Sequence, residues 1–258
     1  MTDSVDLQVN TIIVVPVYNE EKRLQAEAFI NFVEQHQNSK ILFANDGSID
    51  GTQALLDRIC RHPSGRITHL NLTKNSGKAE AVRTGVANAL AQSGIEYVGY
   101  LDADLSTPVT EMVPFIDLLK TRPGAVMVLG SRVKLLGRKI KRRLLRHYLG
   151  RVFATVASIV LDIGVYDTQC GAKLFRSSAA VKAIFAEPFS SRWIFDVEII
   201  ARLARELGVR GPELEATMIE CPLGVWQDVG GSKVKAKDFF VAFLEMLSLH
   251  LRYQKFLR

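Results

Sequence analysis

Short apolar runs alternate with longer segments of helical period along the first half of the chain. Thr11–Val17 (TIIVVPV) carries almost no polar position, and Lys40–Asn45 (KILFAN), Thr68–Asn71, Tyr97–Asp102 (YVGYLD) and Ala125–Leu129 (AVMVL) follow the same pattern. Runs of this length, rich in β-branched residues and bounded by turn formers, predict strands buried on both faces. Between the third and fourth runs, Gly77–Ser93 places Val82, Val86 and Leu90 four residues apart, which predicts a helix. The alternation predicts an α/β fold built on a mostly parallel, doubly wound sheet flanked by helices. Such sheets bind ligands beyond the carboxyl ends of their strands.

Polar residues gather where those ends are expected. The first strand runs into Tyr18-Asn19-Glu20-Glu21, the second into Asn45-Asp46-Gly47-Ser48, and the fourth into Asp102-Ala103-Asp104. One such loop is as readily a turn or a helix cap. Three on one sheet edge predict a binding site. Asp102 and Asp104, one residue apart, present oxygens of the kind that Mg²⁺ or Mn²⁺ prefers, and such a cation commonly bridges to substrate phosphates. Asp46 offers the acceptor that a base or ribose requires.

The second half changes character. From Arg132 to Arg151 there are nine Lys or Arg residues and no acid, and an apolar helix is expected from there to Leu161. Asp238–Leu257 sets Phe239, Phe243, Leu247 and Leu251 on one stripe and polar residues on another, predicting an amphipathic C-terminal helix. With 258 residues, 48% hydrophobic, the chain has the size of one α/β domain. Three parts are expected within it: a nucleotide-binding half at 11–130, an acceptor half at 131–235 and the terminal helix at 236–258.

The net charge of +6 asks for an anionic partner without choosing one. Cys60, Cys170 and Cys221 are odd in number and widely spaced, which points to a reducing, cytosolic compartment. The polar, acidic opening MTDSVDLQVN does not read as a signal peptide. The longest apolar run, Val152–Leu161, is about half of a membrane span, so a soluble or surface-bound protein is expected.

Taken together, VVPVYNE, NDGSIDGT, NSGKAEAVRTG and DADLS resemble the inverting family 2 glycosyltransferases of GT-A fold, over residues 11 to about 132. DTQCGAKLF (Asp167–Phe175), RWIFDVE (Arg192–Glu198) and Trp226 with Gly231-Ser232-Lys233-Val234 resemble the dolichyl-phosphate β-glucosyltransferases and, less closely, the dolichol-phosphate mannose synthases.

The resemblance implies a metal-dependent transferase that moves a hexose from a nucleotide sugar, UDP-glucose before GDP-mannose, to a polyprenyl phosphate. It implies donor contacts from Pro16, Tyr18, Asn19, Glu20, Asn45, Asp46, Gly77, Lys78, Asp102, Ala103 and Asp104, with the metal on Asp102 and Asp104. It implies acceptor-phosphate contacts from Ser131, Arg132, Arg146, Arg151, Gln169 and Lys173, with Asp104, Arg132 and Asp196 closest to the chemistry. Cys170 is expected as a small buried hydrophobe and Glu198 as a structural residue. A cytoplasmic protein, peripheral to the inner face of a membrane, follows.

Two positions depart from the pattern. Asn45 stands where the family usually has Asp, and Ser106 stands where the mannose synthases have a Gln that helps hold the metal. An N-terminal anchor, as in eukaryotic members of the glucosyltransferase group, is not expected. Two alternatives remain: transfer to a sugar hydroxyl with Asp196 as general base, and a basic lipid- or nucleic-acid-binding module. Acids clustered at the strand ends would repel a polyanion, so no nucleic-acid partner is expected. The sequence does not set the oligomeric state.

Overall fold

The computed structural model describes residues 10–141, 144–229 and 236–257, without the side chains of 144–147, 149 and 236–240. Arg142, Arg143 and the Gly231–Val234 string therefore lie outside the described residues, as do the side chains of Arg146, Asp238 and Phe239.

The chain alternates β1 (Thr11–Val17), α1 (Ala26–Gln35), β2 (Ser39–Asn45), α2 (Thr52–Ile59), β3 (Ile67–Asn71), α3 (Lys78–Leu90) and β4 (Tyr97–Leu101). Then come α4 (Met112–Thr121), β5 (Met127–Ser131), β6 (Lys139–Lys141), α5 (Leu144–Leu161), β7 (Ala172–Arg176), α6 (Ala179–Ile184) and α7 (Phe195–Leu207). The chain continues through α8 (Gly211–Ala216), β8 (Met218–Pro222), β9 (Val225–Gln227) and α9 (Ala236–Leu257).

Seven strands form one sheet in the order β3-β2-β1-β4-β7-β5-β8, and β6 pairs with β9 apart from it. The sheet is mostly parallel, as the alternation predicted. The exception is β7, which runs antiparallel between β4 and β5, with Leu101 opposite Ala172 and Leu129 opposite Lys173. Its reversed direction has a consequence for the site. The chain enters β7 at the edge where β4 and β5 end, so the Asp167–Gly171 loop joins the strand-end loops there.

Period-two alternation splits the core into two layers. Ile12, Val14 and Tyr100 face α3, α7 and α9, whereas Ile13, Val15, Phe43 and Leu101 face α1, α2 and α4. Helices α5 and α9 pack against α7 and each other. On α9, Met246, Leu249, Tyr253 and Leu257 are buried, while Phe243, Leu244, Leu247 and Leu251 point outward. No helix among the described residues is long and apolar enough to cross a membrane.

Candidate active site

The loops after β1 and β2 are stitched together. The Asn19 N–H donates to Ser48 Oγ (3.0 Å), the Ile49 N–H to Asn19 Oδ1 (3.0 Å) and the Glu20 N–H to Thr52 Oγ1 (2.8 Å). Asn19 holds a left-handed backbone, φ 53°, which asparagine tolerates better than most residues. Pro16, opposite Ala44 in the β1–β2 ladder, and Tyr18 are half-buried at the same end. Glu20 accepts from Arg23 at 2.6 Å.

Asn45 was expected on the donor, but its buried side chain is spent inside the loop. Its amide donates to Gln53 Oε1 and Asn71 Oδ1, both at 3.0 Å, and its oxygen accepts from Ser48 N (3.2 Å) and Oγ (2.6 Å). Asp46 is also buried, and its carboxylate accepts from the N–H groups of Ser76 (2.7 Å) and Gly77 (2.8 Å). Both residues thus fix the conformation of the strand-end loops. Asp46 fixes the turn at Gly77, φ 95°, a conformation that glycine reaches without steric cost, and so sets the start of α3 at Lys78.

Asp102 and Asp104 stand beyond the end of β4, with buried Ala103 between them. The Asp102 N–H donates to Gly171 O at 3.0 Å, and a Cβ on Gly171 would come within 2.1 Å of Asp102 Oδ2. Only glycine leaves room for that carboxylate. Asp104 Oδ1 accepts from Ser106 N at 2.9 Å, across Leu105, whose φ of 51° is left-handed. A leucine there costs about 1–2 kcal/mol, strain stored in the turn that carries the pair.

Lys78 Nζ lies 2.5 Å from Asp102 Oδ1. Burial opposes its charge, but Asp102, Asp196 and Asp104 more than offset this and hold the ammonium above its ordinary range. Two hard carboxylates fit a divalent cation that takes its remaining ligands from a diphosphate and water. The described residues contain no cluster of three or more His, Cys, Asp or Glu able to hold a metal by themselves.

Behind the pair is a buried polar triad. Tyr100 OH and Lys173 Nζ both donate to Asp196 Oδ1, and Lys173 Nζ also donates to Cys170 O at 2.8 Å. Lys173 was expected on the acceptor phosphate; it is instead fully buried and committed to Asp196. Burial, then the adjacent Asp196, pushes the Tyr100 phenol well above its usual range, keeping it a donor. No bond to Asp196 Oδ2 is seen among the described residues. Glu198 is structural, accepting from Arg202 Nη2 (2.9 Å), Ser190 Oγ (2.7 Å) and Tyr253 OH (3.2 Å). Cys170 is fully buried, which pushes its thiol up to about 11.

A second cluster, beyond the end of β5, is organised by Arg132. Its Nε (2.6 Å), Nη2 (2.8 Å) and backbone N–H (3.1 Å) all donate to the Asp167 carboxylate, and its guanidinium lies 5.5 Å from the Trp226 ring. Burial works against the charge, but Asp167 and, farther off, Asp102 hold the guanidinium above its usual range. Asp167 and Tyr166 are fixed in turn through their N–H groups, which donate to Glu220 at 2.7 and 2.9 Å. Arg151 stacks on Tyr166 at 3.7 Å and donates to its carbonyl at 3.3 Å. Ser131 Oγ, Thr168 Oγ1 and Gln169 Nε2 are buried without a hydrogen-bond partner. Buried polar atoms are rarely left so, and these three belong to the end of β5 and the loop before β7, which the Arg132–Asp167 pair joins.

The structure therefore brings Arg132, Ser131, Gln169 and Arg151 to one side of the Asp102–Asp104 pair. It adds residues not singled out from sequence: Asp167, Glu220, Tyr100 and Gly171. A buried arginine needs a counter-ion, and the acid in DTQCG was the available signal for Asp167.

Residues 12–183 match glycosyl transferase family 2. The chain belongs to this family. As a family 2 glycosyltransferase it is 30% identical, over 96% of its length and 72% of the relative's, to "Dolichyl-phosphate beta-glucosyltransferase ALG5C" of Trichomonas vaginalis. The dolichyl-phosphate beta-glucosyltransferase of Saccharomyces cerevisiae is 31% identical over 89% of this chain and 70% of its own. The human protein of that name is 30% identical over 84% and 72%.

Among solved structures, glucosyl-3-phosphoglycerate synthase of Mycobacterium tuberculosis, in complex with Mn²⁺, uridine diphosphate and glucosyl-3-phosphoglycerate, superposes with a TM-score of 0.65. That match covers 93% of this chain and 79% of the other at 17% identity. Mannosyl-3-phosphoglycerate synthase of Rubrobacter xylanophilus gives 0.65 at 15% identity, over 97% and 76%. These likenesses establish the GT-A fold of this family 2 enzyme.

Proposed function

We propose that this glycosyltransferase moves glucose, with inversion, from UDP-glucose to a polyprenyl phosphate at the cytoplasmic face of a membrane, using Mg²⁺ or Mn²⁺. The observation that carries the acceptor is the Arg132–Asp167 pair beside Asp102, with Ser131 Oγ and Gln169 Nε2 buried and unpartnered around it. An arginine fork of fixed orientation suits phosphate oxygens. The relatives named for dolichyl phosphate and glucose support this acceptor and sugar. The fold shared with an enzyme solved with uridine diphosphate and Mn²⁺ supports the donor and the metal.

A divalent cation on Asp102 and Asp104 would supply neutralisation of the charge developing on the leaving diphosphate. The chain's own residues orient the partners. Asp46 shapes the donor loop, Lys78 faces the diphosphate, and Arg132 holds the acceptor phosphate opposite the leaving group. That phosphate is already an anion, so attack requires no protein base. Asp196, with one oxygen between Tyr100 and Lys173, acts as a positioning residue.

The outward faces of α5 and α9 support the membrane location. Tyr148, Val152 and Ile159 on α5 are more than 60% exposed, and Phe243, Leu247 and Leu251 on α9 more than 50%. They accompany the acid-free basic run that includes Arg138, Lys139 and Lys141. This combination fits a helix pair lying in an anionic interface, each basic residue adding about 1 kcal/mol near the surface.

The test is product identification. The protein is incubated with UDP-glucose or GDP-mannose and with either polyprenyl phosphate or soluble sugars. Glucosyl-phosphoryl lipid and UDP are expected. A glycoside formed on a sugar hydroxyl would overturn the acceptor and make Asp196, through its free-standing Oδ2, the base. Turnover of GDP-mannose alone would overturn the donor.

A further inference from the structure

Lys78 sits against one of the two carboxylates proposed to hold the metal ion. Its Nζ lies 2.5 Å from Asp102 Oδ1, and Asp104 and Asp196 are the other carboxylates acting on its charge. Its backbone cannot drift, because it opens α3 directly behind the Gly77 turn that Asp46 ties down. Its side chain can, being 40% exposed at the end of a flexible stem. Among the described residues Asp102 has no other ion-pair partner.

The two carboxylates also make an incomplete shell. Mg²⁺ demands six oxygens in near-octahedral array, and Mn²⁺ is bound in similar sites. Here Ser106 follows the pair, with its N–H already bonded to Asp104. A metal arriving alone must displace an ammonium and then find most of its ligands in water. A metal arriving with a diphosphate meets neither obstacle. The diphosphate offers the lysine another anion at the same helix start, and it offers the metal the missing oxygens.

We infer that Lys78 is a built-in counter-ion that keeps the Asp102–Asp104 pair from taking up a divalent cation until a nucleoside diphosphate draws the ammonium away. Metal and nucleotide then bind as a coupled pair, and by linkage each tightens the other by the same factor. The nucleotide half of this inference rests on the proposed donor. The metal half rests instead on the cation site proposed at Asp102 and Asp104.

The test is titration of the full chain with Mn²⁺, with and without UDP, by calorimetry. Wild type is compared with Lys78→Gln, Lys78→Met and Lys78→Arg, each checked for a native thermal melt. Wild type should take up Mn²⁺ weakly alone and about tenfold or more tightly with UDP, within the usual span of coupling between two sites. Lys78→Gln and Lys78→Met should bind Mn²⁺ alone about tenfold more tightly than wild type and keep only the part of the coupling that the diphosphate oxygens supply. Lys78→Arg, which keeps a cation there, should behave as wild type.

The inference is overturned if the neutral variants bind Mn²⁺ alone no more tightly than wild type, or if UDP still tightens it by the wild-type factor. If UDP binds no variant under any condition, the nucleotide donor and the coupled binding both fall. The Mn²⁺-only comparison then still decides whether Lys78 guards the carboxylates.

Discussion

Arg132 and Asp167 meet through both carboxylate oxygens, Nε to Oδ2 at 2.6 Å and Nη2 to Oδ1 at 2.8 Å, with the arginine's own N–H also on Oδ2. The guanidinium is therefore held in one orientation, its remaining N–H groups available to an anion. Arg132→Ala should weaken acceptor use about ten- to hundredfold, the loss of a charge-assisted contact of roughly 1.5–3 kcal/mol. Donor binding should change little. Steady-state kinetics in both substrates reads the difference, and an unchanged acceptor KM would remove Arg132 from the acceptor site.

Asp167→Asn leaves that guanidinium buried without its counter-charge. Stripping one partner from a buried pair costs on the order of 3–5 kcal/mol. Denaturant unfolding should show a loss near the lower end, since Arg132 keeps 15% of its side chain in solvent. The Asp167→Asn/Arg132→Ala double variant should be less destabilised than the sum of the singles. Strict additivity would mean that the two do not interact.

Gly171→Ala places a methyl where Asp102 Oδ2 now lies, at a distance of 2.1 Å. The carboxylate must swing away from its position beside Asp104. Turnover should fall by about tenfold or more, the scale of losing one charge-assisted contact, while circular dichroism stays native. Wild-type kinetics in Gly171→Ala would show that Asp102 need not sit where it does.

The acceptor's chemistry sets the pH profile. If a phosphate attacks, its second ionisation near pH 6 governs the acid limb of the rate. Asp196→Asn should slow the reaction because Tyr100 and Lys173 lose the charge that they share. The limb itself should stay in place across pH 5 to 8. Loss of activity at every pH, together with an unchanged acceptor KM in Arg132→Ala, would point to base catalysis on a hydroxyl.

Cysteine labelling probes the core behind the site. Burial pushes the Cys170 thiol up to about 11, so at pH 8 only about one molecule in a thousand carries the thiolate that alkylating agents attack. In the unfolded chain, with an ordinary thiol, about a quarter does. Iodoacetamide should leave Cys170 unmodified in the native protein and label it rapidly in denaturant. Fast native labelling would show that the loop before β7 opens readily.

Much of this was legible in the sequence, and the misses have physical causes. The first strand is found at its expected bounds because Ile12–Val17 is apolar throughout, and β2 and β3 begin one residue earlier than expected. Strand five starts two residues later and extends through Gly130 and Ser131, since these pair with Cys221 and Pro222 of β8. Strand β7 escaped notice because Lys173 interrupts AKLFR, and a lysine can be buried there only because Asp196, 23 residues on, accepts from it. The carboxylates at the strand ends were legible, but their partners were not. Asp46 bonds N–H groups 30 and 31 residues away, and Arg132 finds its acid 35 residues on. Such pairings exist only once the sheet has formed.

The reversed strand also bears on how the molecule can be divided. β7 is hydrogen-bonded to β4 on one side and to β5 on the other, although it follows them by some 40 to 70 residues. A fragment ending at Ser131, where the charge pattern changes, would retain β1 to β5. It would also expose the ladder groups of Tyr97–Leu101 along a bare, apolar edge. An edge of that kind invites pairing with another copy, so this fragment, expressed alone, should aggregate rather than fold.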